Sequence, residues 1–206
     1  MTDEMLERDD LPLRIQALLA RRAPRLIEDR EALCRRGSVL IPLLNEGGEY
    51  KILFTKRTDI VEVHKGQMSF PGGRIDEGDR SLLDTALRES EEEIGLLRQY
   101  VTVLGRIDDA RTLSSNYIIH SFVGKIPYPY PFRPNSGEVE RVVMVPLKFF
   151  FGKEEILPVE YGGRTYKNLA YRFDGEVIWG ATARIMRNLV EILSALRESK
   201  PRRGVV

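Results

Sequence analysis

Residues 70–96 read FPGGRIDEGDRSLLDTALRESEEEIGL. The closing run, Arg88-Glu89-Ser90-Glu91-Glu92-Glu93, places four carboxylates within five residues. Helix stability does not favour that pattern, because like charges three and four positions apart repel. At 3.6 residues per turn, Glu89, Glu92 and Glu93 fall on one side of a helix, at offsets of three and four. Three carboxylates on a rigid face suit a hard divalent cation such as Mg²⁺, which takes oxygen ligands and shares them with substrate phosphates. Taken alone, an acid-rich segment also reads as a solvated face. The surroundings argue otherwise. Phe70-Pro71-Gly72-Gly73 predicts a tight turn ahead of the helix. Leu82, Leu83, Ala86 and Leu87 predict a separate buried face. Arg88 is placed to pair with Glu92 or Glu91, and Gly95 to end the helix. Loop, helix and cap together predict one site for phosphate chemistry.

Gly73 to Leu96 resembles the Nudix box, G-x5-E-x7-R-E-U-x-E-E-x-G-U, where U is a bulky aliphatic residue. The interval from Gly73 to Arg88 is one residue longer than the pattern, so Asp79 stands near the place of the first Glu, and Ser90 replaces the aliphatic U. The longer box with Asp resembles the coenzyme A pyrophosphatase branch. That branch carries an upstream segment similar to L-L-T-x-R-S/A-x3-R-x3-G-x3-F-P-G-G. Here Thr55, Arg57, Gly66 and Phe70-Pro71-Gly72-Gly73 fall in register, Thr58 replaces Ser/Ala, and Glu62 stands where the pattern has Arg. Arg14 to Pro24, Ser114 to Tyr117, Asn135 to Val139 and Trp179 to Ala183 are similar to other segments of the branch.

The resemblance implies an α/β fold, an α/β/α sandwich around a mixed β-sheet. It implies that Glu89, Glu92, Glu93 and the Gly73 backbone carbonyl hold Mg²⁺ or Mn²⁺. Glu89 is a general-base candidate and Glu138, on a later loop, is another; Arg88 orients the carboxylates. Arg57, Lys65, Gly66 and Gln67 are the candidate substrate contacts. The implied reaction is cleavage of the coenzyme A or acyl-coenzyme A pyrophosphate, giving 3′,5′-ADP and (acyl-)4′-phosphopantetheine. Two alternatives stay open: a broader ADP-ribose or NADH pyrophosphatase, kept in view by Glu62, and a nucleotide-sensing module that does not cleave its ligand.

Composition fits one catalytic domain. The chain has 206 residues, enough for one sizeable core. Its 32 Lys and Arg nearly balance 31 Asp and Glu, so no global field argues for nucleic acid or membrane as partner. The expected partner is a small nucleotide, with a homodimer left open. A single cysteine, Cys34, rules out an intramolecular disulfide, and a catalytic role for it is not expected. The charged start lacks a signal-peptide pattern and no apolar run approaches 18 residues, so the expected location is the cytoplasm.

The expected organisation is a helical extension over residues 1–36, a catalytic domain over 37–198 and a flexible tail over 199–206. Periodicity predicts helices over Leu13–Ala23, Ser81–Ile94 and Ala181–Glu198. Strands are predicted over Gly37–Leu44, Tyr50–Arg57, Val101–Asp108, Tyr117–Ile126, Val142–Pro146, Tyr166–Phe173 and Val177–Trp179. The first two are joined by the hairpin turn Asn45-Glu46-Gly47-Gly48. Pro127, Pro129 and Pro131 forbid a central strand between them. His120 reads as a strand side chain. Tyr117, Tyr128 and Tyr130 read either as adenine stackers or as packing residues.

Overall fold

A computed structural model of the chain describes residues 6–29, 31, 33–58, 66–112, 115–161 and 164–197. The strands are β1 (Arg35–Glu46), β2 (Glu49–Arg57), β3 (Met68–Ser69), β4 (Gly72–Arg74), β5 (Thr102–Arg106), β6 (Ala110–Arg111), β7 (Tyr117–Lys125), β8 (Val139–Pro146), β9 (Glu155–Tyr161), β10 (Arg164–Phe173) and β11 (Glu176–Trp179). The helices are α1 (Leu11–Ala20), α2 (Leu82–Ile94) and α3 (Gly180–Ser194). The larger sheet runs β3-β2-β1-β7-β5, with β4 on β1, β6 on β7 and β8 on β2. It is mixed, because β1 and β7 pair in parallel and every other pair is antiparallel.

The central strands are apolar on both faces, as a sheet covered on both sides requires. Alternate residues go to different cores. Leu40, Leu44 and Leu53 meet Ala86 and Ile94 of α2 and Leu96 beyond it. Ile41, Leu43, Ile52 and Phe54 meet Leu11, Ile15 and Leu19 of α1 and Ile185, Met186, Leu189 and Leu193 of α3. Each such buried side chain contributes roughly 2 kcal/mol. The three layers make an α/β/α sandwich. A second sheet, β11-β10-β9, is joined to it through β11: Glu176 takes Lys56 of β2 and Arg141 of β8.

Several predicted boundaries move. Helix α1 starts at Leu11-Pro12, where proline's missing N–H costs nothing in the first turn. Helix α3 stops at Ser194 and passes into a 3₁₀ turn, Ala195–Arg197. Strand β8 begins at Val139, which the bulge between Lys56 and Arg57 brings opposite Arg57. Strand β9 is additional to the predicted set, since Pro158 interrupts its apolar pattern; as the sheet's edge it tolerates the lost donor. Gly72–Arg74 is a short strand and not a turn: it lies antiparallel to β1, Ser38 opposite Gly73.

Candidate active site

Helix α2 is set by its ends. Ser81 caps the N-terminus, its hydroxyl accepting from the Asp84 amide at 3.1 Å. Gly95 closes the C-terminus in the left-handed region, φ 68°, its N–H donating to the Glu91 carbonyl. The buried stripe is not the predicted leucine face. It consists of Thr85, Ala86, Ser90, Glu93 and Ile94, while Leu82, Leu83 and Leu87 are only partly covered. Small residues let α2 lie close to the sheet. Ser90 fits in place of an aliphatic residue because its hydroxyl bonds the Ala86 carbonyl at 2.6 Å, so no polar group is left unpaired.

Arg88 is the hub of the exposed side. Its guanidinium grips both oxygens of Asp79, at 2.9 and 3.1 Å, and donates to Glu92 at 2.9 Å and to the Arg74 carbonyl at 3.1 Å. Glu89 lies 3.0 Å away. The i,i+4 partner is thus Glu92; no ion pair joins Arg88 to Glu91 among the described residues. The Asp79 side chain is 3 % exposed, and Arg88 holds its carboxyl well below the usual range, with help from the Asp76 backbone and Thr85. Sequence reasoning placed Asp79 in the box but missed this clamp; the signal was the extra residue between Gly73 and Arg88.

Glu89 and Glu93 turn toward the sheet. Burial raises the pKa of Glu89, against the opposing charge of Arg88, and the carboxylates of Glu92 and Glu138 add to the rise. Glu93 is 3 % exposed, and burial pushes its carboxyl up to about 8. Arg57 and the Gly72 backbone pull it down, while Glu89 and Glu138 push it further up. Glu93 Oε2 and Arg57 Nε are buried with no hydrogen-bond partner among the described residues. The two glycines that follow Pro71 lie close against Glu89 and β1. A Cβ on Gly73 would overlap the Glu89 carboxylate, and one on Gly72 would overlap Ser38 O and Val39 Cα.

Glu138 reaches the site from 45 residues downstream of Glu93 in sequence numbering. Its loop is tied to α2 by Asn135 N–H to Glu93 O, 2.8 Å, and Arg133 N–H to Ile94 O, 2.8 Å. It is tied to the end of β2 by Thr58 N–H to Glu138 O, 3.0 Å. Gln67 meets the same strand end, its carbonyl accepting from Arg57 N–H at 3.1 Å. Gly66 precedes it in the left-handed region.

Of the sequence-predicted residues, Glu89, Glu93, Gly73, Arg57 and Glu138 come near one another, and Gln67, preceded by Gly66, bonds the Arg57 amide. Glu92 is set apart: its side chain is 57 % exposed and held on Arg88. Lys65, Glu62, His64 and Ser114 lie outside the described residues. Lys56 is bonded to Glu176 at 3.1 Å and lies near Glu140. Tyr130 is a packing residue: its hydroxyl donates to the Gly95 carbonyl and accepts from the Leu97 amide. His120 is buried in β7 beside Asp109 and Arg106. Cys34 bonds Asn116.

A divalent cation fits the donor chemistry of this cluster. Glu89, Glu93 and Glu138 offer only hard oxygens, and the orphaned Glu93 Oε2 is an acceptor that the protein leaves unused. The ligands are not gathered at one point, since among the described residues no group of three or more acids, His or Cys converges on a metal position.

Residues 35–160 match the family model of the NUDIX domain. The chain belongs to the Nudix family. A relative from Yersinia pestis (strain Pestoides F), described as the uncharacterized Nudix hydrolase NudL, is 36 % identical over 162 residues, covering 78 % of this chain and 80 % of its own. The corresponding protein of Yersinia pseudotuberculosis serotype O:1b (strain IP 31758) matches equally. Among solved structures, a MutT/nudix family protein from Enterococcus faecalis aligns with TM-score 0.55 at 15 % identity, over 94 % of this chain and 75 % of that one. The M. smegmatis Nudix hydrolase RenU aligns with TM-score 0.53 at 16 % identity, over 79 % and 87 %. These likenesses show the Nudix fold. The chain is thus a Nudix hydrolase, an enzyme acting on pyrophosphate bonds of nucleoside diphosphate derivatives, and Nudix hydrolases generally need divalent metal ions. Among the described residues no helix is long and apolar enough to cross a membrane.

Proposed function

We propose that this Nudix hydrolase cleaves the pyrophosphate of coenzyme A or acyl-coenzyme A, releasing 3′,5′-ADP and (acyl-)4′-phosphopantetheine. The observation that carries this reading is the junction of the upstream segment with the box. Thr55 is buried and bonds Ser69, fastening β3 to β2. That places Arg57 against Glu93, and Phe70-Pro71-Gly72-Gly73 beneath Glu89. The residues that match the coenzyme A branch thus build the floor of the carboxylate site.

Glu89, Glu93, the Gly73 carbonyl and Glu92 would hold Mg²⁺ or Mn²⁺. A cation held there would neutralise the phosphate oxygens and so make attack on an anion feasible. Water adds through its oxygen to one phosphorus, the bridging P–O bond breaks, and the leaving phosphate departs with the electron pair. The proton of the attacking water passes to Glu89 or Glu138, both of which border the site. Arg57 supplies fixed positive charge beside the phosphates, and Gly66 and Gln67, next to Arg57 at the end of β2, are the further candidate contacts.

Coenzyme A, acetyl-coenzyme A, ADP-ribose, NADH and dGTP, each assayed with Mg²⁺, Mn²⁺ and EDTA, test the reading. The expected result is metal-dependent release of 3′,5′-ADP with coenzyme A preferred. Preference for ADP-ribose or NADH would overturn the substrate and leave the chemistry. Ligand binding without cleavage would move the chain to the sensing class.

A further inference from the structure

Helix α2 ends beside the carboxylates, and the last carbonyls of a helix have no partner within it. Here one loop takes three of them in succession. The Asn135 N–H donates to the Glu93 carbonyl and the Arg133 N–H to the Ile94 carbonyl, each at 2.8 Å. The Tyr130 hydroxyl donates to the Gly95 carbonyl, also at 2.8 Å. The fit is close, since a Cβ on Gly95 would come within 3.1 Å of Arg133 Cβ. The Tyr130 ring packs on Phe132, centroids 4.9 Å apart, and both rest on the core under α2. The loop that carries Glu138 is therefore built onto the end of the helix that carries Glu89 and Glu93.

Asn135 links the two. Its N–H is held by Glu93, and its own carbonyl accepts from the N–H groups of Glu138 and Val139, at 2.9 and 2.8 Å. Two hydrogen bonds thus connect the backbone of Glu93 to that of Glu138. The Asn135 side chain adds a further bond: Oδ1 accepts from the Gly137 N–H at 3.2 Å, by which an Asn fixes a turn two residues on. The Thr58 hydroxyl meets the Gly137 carbonyl from the other side, at 3.5 Å. The Thr58 N–H holds the Glu138 carbonyl at 3.0 Å. Beyond Glu138, Val139 is buried with Ala86 and Ile94 of α2 and lies opposite Arg57. Residues 135–138 are all exposed, so hydrogen bonds, and not packing, fix this turn.

Glu138 differs from Glu89 in what surrounds its carboxylate. Glu89 lies 3.0 Å from Arg88, whereas Glu138 forms no ion pair among the described residues. Its charge still reaches the site, where it acts on both Glu89 and Glu93. We infer that Asn135 is a positioning residue: its side chain sets the turn that holds Glu138 at the carboxylate site, and Glu138 accepts the proton of the attacking water. The water oxygen bonds phosphorus as the proton passes to a Glu138 carboxylate oxygen, and the leaving phosphate keeps the electron pair of the broken P–O bond. The inference rests on the proposed pyrophosphate cleavage, whichever nucleotide is the substrate.

The test measures kcat and KM for Asn135→Ala, Asn135→Ser, Glu138→Gln and the double variant Asn135→Ala/Glu138→Gln, on whichever of coenzyme A, ADP-ribose and NADH the wild type cleaves. Glu138→Gln should lower kcat about a hundredfold or more. Asn135→Ala should lower kcat about tenfold, because a displaced base loses rate, and leave KM within about twofold. Asn135→Ser should recover part of the loss, its hydroxyl accepting from the same N–H more weakly. In the Glu138→Gln background Asn135→Ala should cost nothing further, since the two residues act as one. A merely structural role would lower both backgrounds alike. Equal losses in both backgrounds, an unchanged kcat for Asn135→Ala, or a wild-type kcat for Glu138→Gln would overturn the inference. Thr58→Val removes the hydroxyl on the other side of the Gly137 peptide and keeps the side-chain shape; it takes the place of Asn135→Ala in the cycle if that variant does not fold. A wild type that cleaves none of the three nucleotides overturns the pyrophosphate reading itself, so the two failures are distinct.

Discussion

Glu93 carries opposed demands at a single residue. The unfolded carboxyl ionises near its ordinary value of 4.5, whereas burial holds the folded one protonated up to about 8. Between those values the unfolded chain has released a proton that the folded chain keeps, so stability of the metal-free protein falls as pH rises. The slope is about 1.4 kcal/mol per pH unit while the two states differ by one proton. Denaturant melts in EDTA from pH 5 to 8 should show that decline for the wild type and a flatter profile for Glu93→Gln. Parallel profiles would dismiss burial of a charge as the cause. The same variant should lose turnover by orders of magnitude. Arg88 poses the complementary case. Truncating it to Met leaves the buried Asp79 without its partner, and the expected loss is about 2 kcal/mol, discounted because Arg88 itself is part-exposed. A melt of Arg88→Met within a few tenths of the wild type would show that water replaces the guanidinium.

At the scale of the element, the loop-to-helix unit depends on two adjacent glycines for different reasons. A side chain at Gly73 meets the far end of the Glu89 side chain, which can swing aside. A side chain at Gly72 meets the backbone of β1, which cannot, at φ 153°. Gly73→Ala should therefore keep its melting temperature close to that of the wild type and lose activity. Gly72→Ala should fold poorly or not at all. Circular dichroism melts together with turnover separate the two outcomes, and similar melts for both would refute the distinction. Much of this unit was legible in the chain: Gly95 ends the helix where expected, and Ser81, read as its first residue, stands one position outside it as the N-cap. The strand character of Gly72–Arg74 was not, because glycines carry no strand preference and the pairing partner is 35 residues away by number, at Ser38.

The whole molecule is fastened by contacts between distant segments. Helix α1 buries Leu11, Ile15 and Leu19 in the same core as α3. Arg22 and Arg25, just after α1, bind Asp108, which also takes Asn188 of α3. Ile15→Ala should cost about 3 kcal/mol, because a cavity opens between helix and sheet where the backbone cannot collapse. An equilibrium unfolding midpoint unchanged from the wild type would show that α1 docks only loosely.

What the sequence determined by itself is what local periodicity and capping encode. The box helix, the β1–β2 hairpin, the two-faced central strands and α3 follow from spacing and turn residues read within a dozen positions. The α/β class follows with them. Tertiary structure alone decided which groups meet. It set Asp79 on Arg88, turned Glu93 inward and Glu92 outward, and brought Glu138 beside Glu89. None of these pairings has a period or a fixed interval in the chain. They arise because closing a long loop costs little more than closing a short one, so the packing of the three layers, and not proximity in sequence, chooses the neighbours.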